Sequence, residues 1–509
     1  MRARLIGRYP LLVAFCTGAA VMVLEVVGTR IIGTFYGSSV QVWGALITVT
    51  LVSLSIGYWI GGRLADRWPK AGLLYVVEML AGAAIPATLF SRRLMVACYQ
   101  RFGMSGGALV SALLIFTLPL VLLAVVSPFV IRLSRRADGR IGRVAGAVYA
   151  ISTLGSVVGT LAATLVLIPY AGTRLSMCAC GAAVVAVTGV GLLLQAGVKW
   201  MPAAAALLAA AFLPTWYRPS PPKGLRFEGD SVYGRLLVVE KDDQLCLLVN
   251  GVMQTGMPLD IDHRDRGDLL RDWNYYFELL PYFNPPWEGK TALIIGLGGG
   301  MAGRMLDKYG IETTGVELDP AVARIATDLD LFGYTGEVVV GDGRRYLEDH
   351  DRQFDFCVLD AYSADVIPFH LVTREMFEVI RSRLTEEGVL GINYIGQPGG
   401  WVVGSLVKTL QQVFADVRVY RTTEEDRVQT LYLFASKLPL RLIPAWPGAG
   451  EDGVDAVSYN LERLTLDLER LPGQVLTDDL NPVDVRRTQT SLAWRERTIE
   501  AFGEAVVAY

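Results

Sequence analysis

A multi-pass helical membrane domain, a small antiparallel β subdomain and an α/β domain with parallel strands are predicted in that order, from three observations. Apolar residues crowd the first 216 of the 509 positions, in a chain that is 52% hydrophobic and 19% charged. Charge divides at the same place: 17 Lys and Arg face 4 Asp and Glu up to Trp216, and 30 face 46 beyond it, giving +13 and −16. Finally, residues 291–360 contain TALIIGLGGGMAG, TTGVELD, VVVGDG and FDFCVLD, four strand ends that carry a glycine loop and three carboxylates.

The membrane domain rests on six long, nearly uncharged runs, at 11–32, 40–60, 73–90, 109–131, 144–168 and 175–194. Each is near the roughly 20 residues that a helix needs to cross the hydrocarbon core. A seventh run, 198–214, is shorter and Ala-rich, and its insertion is marginal. No signal-peptide cleavage site interrupts the series. Basic residues in short loops mark the cytoplasmic side. Arg2, Arg4 and Arg8 precede the first run, Arg63, Arg67 and Lys70 follow the second, and Arg132, Arg135, Arg136, Arg140 and Arg143 follow the fourth. The N-terminus is therefore expected in the cytoplasm of a cell (inner) membrane protein. Six crossings would leave the second half in the cytoplasm and seven would place it outside. A domain using a nucleoside made in the cytosol should face it, so either the seventh run is expected not to cross fully or one of the other six is not a true span.

Four domains follow: 1–216 in the membrane, 217–290 with a proline-rich linker (RPSPPKG) and a small β subdomain, 291–440 as the α/β core, and a tail at 441–509. Short alternating runs broken by GDS, KDD and NG read as antiparallel strands over 225–254. Residues 257–272 lack an apolar period and are expected as a charged loop. Residues 273–283 are aromatic and expected helical. In the core, Arg374–Arg383 and 401–414 are expected as helices, and 388–394 and 429–435 as strands. An amphipathic helix is expected at 492–507. Cys16, Cys98, Cys178, Cys180, Cys246 and Cys357 lie in apolar runs, as buried thiols do. His263, His350 and His370 are scattered, so no metal site is expected, and no Lys/Arg-rich tract suggests nucleic acid.

In a parallel α/β sheet, ligands sit outside the carboxyl ends of the strands. After the first strand, Gly296, Gly298 and Gly300 allow a tight turn and close approach of a ligand to a helix N-terminus. Glu317, 21 residues after Gly296, ends the second strand and can accept both ribose hydroxyls. That feature also serves dinucleotides. Asp342, before Gly343, suits an adenine amino group, and the same residue could simply cap a helix. Asp360 closes a hydrophobic strand, where an unpartnered carboxylate is costly. Together they favour an S-adenosyl ligand on a Rossmann-like, S-adenosylmethionine-methyltransferase-like domain.

From Ser231 to Asn393 these residues resemble the spermidine synthases, or polyamine aminopropyltransferases. The Ser-x-Tyr of that family matches Ser231 and Tyr233, its Asp-Gly-x-x-Gln matches Asn250, Gly251 and Gln254, and its Tyr-x-Glu matches Tyr276 and Glu278. The aspartate that begins its catalytic loop matches Asp360. The first half resembles the N-terminal part of membrane-fused members, in Glu25 and Arg30, in Gly37, Ser38, Ser39 and Trp43, and in GYWIGGRLADR at 57–67. The last is similar to a short loop of major-facilitator transporters.

The resemblance implies transfer of an aminopropyl group from decarboxylated S-adenosylmethionine, a co-substrate, to putrescine or a related amine, leaving methylthioadenosine. Asp360 would take the amine's proton with help from Tyr276. Gln254, Gly296, Gly298, Gly300, Glu317, Asp342 and Gly343 would hold the nucleoside, and Tyr233, Glu278 and Asp365 the amine. A homodimer is possible in such a protein. The sequence also departs from the family. Gly299 stands where an aspartate holds the donor's amine, Phe277 replaces a polar residue, Ser363 replaces a second loop aspartate, and an insertion at 257–272 separates Gln254 from Tyr276. The nucleoside half of the site is intact and the polyamine half altered. A membrane-bound methyltransferase using intact S-adenosylmethionine, and a transporter or sensor with a nucleoside- or polyamine-binding domain, therefore stay open. Glu25 and Glu78 lie inside apolar runs, where ionisable groups are expensive. Both are expected to face a polar cavity that accepts a cation or proton, or else to serve a rigid scaffold.

Overall fold

The computed structural model describes residues 2–37, 40–134, 141–196, 198–216, 221–283, 286–362, 367–442, 461–486 and 488–503. They form two compact units. One is built on the chain up to Pro221 together with Asp230–Gly234, and the other on Pro222–Gly229 and Arg235–Gly503.

The first unit is helical: α1 (Arg2–Tyr36), α2 (Val40–Arg67), α3 (Ala71–Ala87), α4 (Arg92–Ala124), α5 (Val126–Ser134), α6 (Ile141–Ala162), α7 (Gly172–Ala196) and α8 (Met201–Ala211). Along α1 the residues Val13, Ala20, Leu24, Val27 and Ile31 are all buried. Their spacings of seven, four, three and four place them on one helical face. The α1–α6 seam is close because Gly155 and Gly159 lie four residues apart. A Cβ on either would run into the carbonyl oxygens of Phe15 and Ala19 on α1, an approach that small residues permit.

Among the described residues five helical runs are long and apolar enough to cross a membrane: Tyr9–Tyr36, Val42–Arg67, Ala71–Phe90, Arg92–Ser134 and Ile141–Gln195. The fifth and sixth runs expected from sequence fall within the last of these, which has 55 residues. At 1.5 Å per residue that is about 80 Å, against a hydrocarbon core of about 30 Å. Gly172, at φ +69°, interrupts it, and α6 and α7 both pack against α1. The marginal seventh run belongs to the short apolar segment Met201–Trp216.

The second unit holds two sheets. β1 (Leu225–Asp230), β2 (Arg235–Lys241), β3 (Gln244–Val249) and β4 (Val252–Pro258) form a meander in the order β1-β2-β3-β4. Asn250 and Gly251 both take positive φ between β3 and β4, the turn that an Asn-Gly pair favours. The larger sheet comprises β5 (Thr291–Ile295), β6 (Glu312–Glu317), β7 (Glu337–Val340), β8 (Phe354–Leu359), β9 (Leu384–Gly396), β10 (Asp416–Arg421) and β11 (Gln429–Ser436). Its order is β10-β11-β9-β8-β5-β6-β7, with β5 to β9 parallel and β11 antiparallel to both β9 and β10. The chain leaves β5 toward β6 on one side and later places β8 on the other. The strand order thus reverses between β5 and β8, where α/β sheets bind ligands. Leu293, Ile295, Cys357, Leu359, Leu390 and Ile392 form part of the buried core on one face of this sheet.

Three expectations are corrected. The single helix expected at 273–283 is a helix at Asp268–Trp273, a 3-10 turn at Tyr276–Leu279 and a short helix at Leu280–Phe283. Asn274, left-handed at φ 51°, ends the first of them. The loop expected at 257–272 contains a 3-10 turn at Ile261–His263 as well as most of that helix. The tail helix runs over Thr488–Phe502 and starts earlier than expected.

Candidate active site

The turn after β5 forms the floor of the site. Gly296, Gly298 and Gly300 all have positive φ. A Cβ on Gly296 would lie 2.5 Å from the Cα of Ala361 and from the Asp360 carbonyl oxygen, so only glycine lets this turn lie against the end of β8. Gly299 N–H donates to Thr255 Oγ1 on β4 at 2.9 Å, which braces the loop from the small sheet. Thr255 follows Gln254, the residue the motif marks. Gln254 itself is half-buried, and its Nε2 donates to the Val252 carbonyl at 3.4 Å.

Glu317, at the end of β6, fastens the same loop. Its Oε2 accepts from the N–H groups of Leu297 at 3.0 Å and Gly298 at 3.3 Å, and its Oε1 accepts from Asp319 N–H at 2.9 Å. Burial pushes its carboxyl above the usual range, against these three bonds. A carboxylate offers about four lone-pair sites, so capacity for a ligand hydroxyl remains. Asp342 plays the capping role weighed as its alternative. Its Oδ1 accepts from Arg345 N–H at 3.0 Å, at the start of the helix Gly343–Asp349, and its Oδ2 lies 3.0 Å from His370 Nε2. Burial works to raise the Asp342 carboxyl, but Arg345 N–H and His370 outweigh it and hold the group below its usual value. His370 carried no signal in the sequence beyond being one of three histidines.

Asp360, directly after β8, sits beside the glycine turn, its N–H donating to the Ile295 carbonyl at 2.9 Å. Its Oδ1 accepts from Asn393 Nδ2 on β9 at 2.7 Å. The residue is only partly exposed, and its carboxyl is pushed up to about 7 by burial, in spite of the Asn393 bond. Asn393 Oδ1 is buried and makes no hydrogen bond among the described residues. Asn393 entered the sequence reading only as the end of the resemblance. Strand register, rather than spacing, brings it to Asp360.

Tyrosines wall this carboxylate. Burial, and then the charge of Asp360, raise the hydroxyls of Tyr275 and Tyr432 well above the ordinary value. Tyr276, the tyrosine expected there, packs on Tyr432 and Tyr420 with ring centroids 5.4 and 6.1 Å apart. Its hydroxyl is raised to about 12 by burial. The hydroxyl that feels Asp360 is therefore that of Tyr275, one residue earlier, because residues 276–279 turn as a 3-10 helix rather than in the α-helix expected. Tyr362 OH donates to the Asn393 carbonyl at 3.1 Å and accepts from Ile395 N–H at 2.8 Å, which fixes the start of the following loop.

Of the three residues expected to bind the amine, Glu278 makes other contacts. Glu278 is fully buried: its Oε1 accepts from Gly267 N–H at 2.8 Å and Tyr309 OH at 3.0 Å, and its Oε2 from Leu270 N–H at 2.7 Å. It holds the inserted segment in place, a correction to its expected contact with substrate. Tyr233 is exposed and lies within Asp230–Gly234, which groups with the helical unit. Asp365 lies outside the described residues. Beside Gly299, a Cβ would meet the ring of Phe332 at 2.7 Å, and Phe332 is fully buried. Among the described residues no cluster of His, Cys, Asp and Glu could hold a metal ion.

No family model matches the chain. A polyamine aminopropyltransferase of Vibrio vulnificus is 27% identical over 279 residues, which is 51% of this chain and 90% of that protein. A probable polyamine aminopropyl transferase of Bifidobacterium longum is 28% identical over 237 residues, 45% of this chain and 48% of its own length. An N-terminal histidine N-methyltransferase of Emericella nidulans is 29% identical over 138 residues, 26% of this chain and 25% of its own length. The chain thus spans about half and about a quarter of the last two relatives.

Proposed function

We propose, from the relationship of this chain to the spermidine synthase family, that its α/β unit transfers an aminopropyl group from decarboxylated S-adenosylmethionine to putrescine or a related amine. The observation that carries the proposal is Asp360: a carboxylate poised near neutrality, at the point where the strand order reverses, beside a glycine loop and within a wall of tyrosines. In the reaction the neutral amine nitrogen forms a bond to the propyl carbon attached to sulfur. The carbon–sulfur bond breaks with its electron pair going to sulfur, and neutral methylthioadenosine leaves. The nitrogen's extra proton passes to Asp360. A base with a pKa near the working pH suits this step. Asn393 Nδ2 steadies one oxygen of Asp360, and its own free Oδ1 offers an acceptor to the incoming amine. The sulfonium is already activated, so positioning supplies much of the remaining acceleration.

In the same proposal Gln254, the loop glycines, Glu317, Asp342 and Gly343 hold the nucleoside, and residues 1–216 span the membrane. Counting α6 and α7 as separate passes gives six crossings, with both the N-terminus and the catalytic unit on the cytoplasmic side. Glu317→Ala and Asp342→Ala should each weaken methylthioadenosine binding by about 1–3 kcal/mol, the worth of charge-assisted hydrogen bonds. Calorimetric titration reads this directly, and wild-type affinity in both variants would remove the nucleoside assignment.

The filled space beside Gly299 and the methyltransferase relative favour a second reading, methyl transfer from intact S-adenosylmethionine. A carboxylate at position 299 would select the decarboxylated donor, and Phe332 leaves no room for one. Purified full-length protein given putrescine and each donor in turn separates the two. Mass spectrometry should find spermidine and methylthioadenosine in equal amounts from the decarboxylated donor, and no methylated product from the intact one. The reverse pattern would establish the second reading.

A further inference from the structure

Helix α3 turns one face into its bundle, burying Leu74, Tyr75, Glu78, Met79, Gly82 and Ile85. Glu78 is fully buried, and neither of its carboxyl oxygens has a hydrogen-bond partner among the described residues. The hydroxyl of Tyr75, three residues earlier on the same face, is likewise buried and unpartnered. The titratable groups on the helices packed against α3 do not supply a partner either. Tyr9 on α1 donates to the Val187 carbonyl at 2.6 Å, Arg132 on α5 pairs with Asp66, and no hydrogen bond joins the free thiols of Cys98, Cys178 and Cys180 to Glu78 among the described residues. One turn beyond Glu78, α3 and α7 meet backbone to backbone. A Cβ on Gly82 would lie 2.8 Å from the Gly181 carbonyl oxygen, and one on Gly181 would lie 2.5 Å from that of Gly82.

An ionised carboxylate in such surroundings, without a counter-charge, is far more costly than a protonated one. The protonated form still leaves a donor and an acceptor unused. A methionine or leucine would fill this position with less loss of stability, so packing alone gives no reason for a carboxyl group. Two unpaired oxygen-bearing groups one turn apart do suit a site that takes up and gives up a proton, the usual service of an ionisable residue inside a bundle of this kind. We propose that Glu78 is a proton-exchange site of the helical unit, with the Tyr75 hydroxyl as its neighbour in the path. Glu25, expected to share the site, is half-buried on α1 and is not needed for it. The inference is independent of the reaction assigned to the α/β unit.

The test uses the full-length protein in lipid nanodiscs and dicyclohexylcarbodiimide, an apolar electrophile to whose central carbon a protonated carboxyl group adds, giving its proton to the reagent's nitrogen. Peptide mapping by mass spectrometry should find the adduct on Glu78 at neutral pH. The rate should fall as pH is raised past the titration point of the group, by about tenfold per pH unit. Glu78→Gln should remove the adduct, together with the infrared carbonyl band of a protonated carboxyl. An unmodified Glu78, or a rate that does not respond to pH, overturns the proposal. Should the variant fail to fold, the pH profile of the wild-type protein decides alone.

Discussion

Asp360→Asn should lower turnover by about 10²–10⁴-fold, the usual contribution of a positioned general base, and leave methylthioadenosine affinity within about twofold of wild type, since the change is isosteric. The amide keeps the shape of the carboxylate and cannot accept the amine's proton. With the Asp360 carboxyl at about 7, the wild-type rate at low substrate should rise with pH through that value as the carboxyl ionises. The residual rate of the variant should lack that rise. Stability should move the opposite way. A carboxyl whose pKa is raised in the fold contributes stability below the ordinary carboxylate range, and that stability is lost as pH climbs through about 7. At about pH 8 the Asn variant should therefore be the more stable protein, by on the order of 1–3 kcal/mol. Tyr276→Phe should cost less activity than Tyr275→Phe, because of these two hydroxyls that of Tyr275 feels the charge of Asp360 and that of Tyr276 does not. Wild-type turnover in Asp360→Asn would place the base elsewhere. Asp478 is then a poor replacement, since two bonds from Arg344, at 2.7 and 2.6 Å, hold its carboxyl below the usual range. Asp365 and Asp479 would come next.

Glu278→Ala should destabilise the second unit by about 2–5 kcal/mol, because it strands the buried N–H donors of Gly267 and Leu270, while the Tyr309 hydroxyl keeps that of Tyr282 at 3.0 Å. Thermal unfolding of the purified protein should show the loss as a midpoint lowered by several degrees. Glu278→Gln should fall between, since its amide nitrogen would face one of those donors. Unchanged stability with a raised KM for the amine would return Glu278 to the substrate, as the sequence motif suggests.

Glu278 also shows where reading a sequence stops. The strands of the α/β core other than β10, the turns of the small sheet, the glycine loop and the strand-end positions of Glu317 and Asp360 were legible, because each depends on local patterns: apolar runs, turn residues and strand-end carboxylates. The direction taken by Glu278 depends on the inserted segment folding back over it, which no spacing encodes. Thr255 and Asn393 reach the site through strand pairing between distant segments, and His370 through a loop. A one-residue difference between Tyr275 and Tyr276 followed from a 3-10 turn in place of an α-helix, a distinction that aromatic composition does not make. In the helical unit, the length and low charge of the apolar runs marked helices but could not tell a break at Gly172 from a connecting loop.

The bond between Arg344 and Asp478 has a consequence for the order in which the protein is built. Arg344 stands in the helix that Asp342 caps, and its partner lies 134 residues further along the chain. The same late segment accepts from Arg374 N–H through the Leu476 carbonyl, donates from Leu476 N–H to Thr409 and reaches the Phe369 carbonyl through Asn481. Domains emerge from the ribosome N-terminal part first, so the bundle and every strand of the larger sheet are available before this segment exists. The helix that Asp342 caps is thus fastened only after the whole of the larger sheet has been made. A chain stalled or clipped before Asp478 would have every strand of the larger sheet and lack the partner that fastens Arg344.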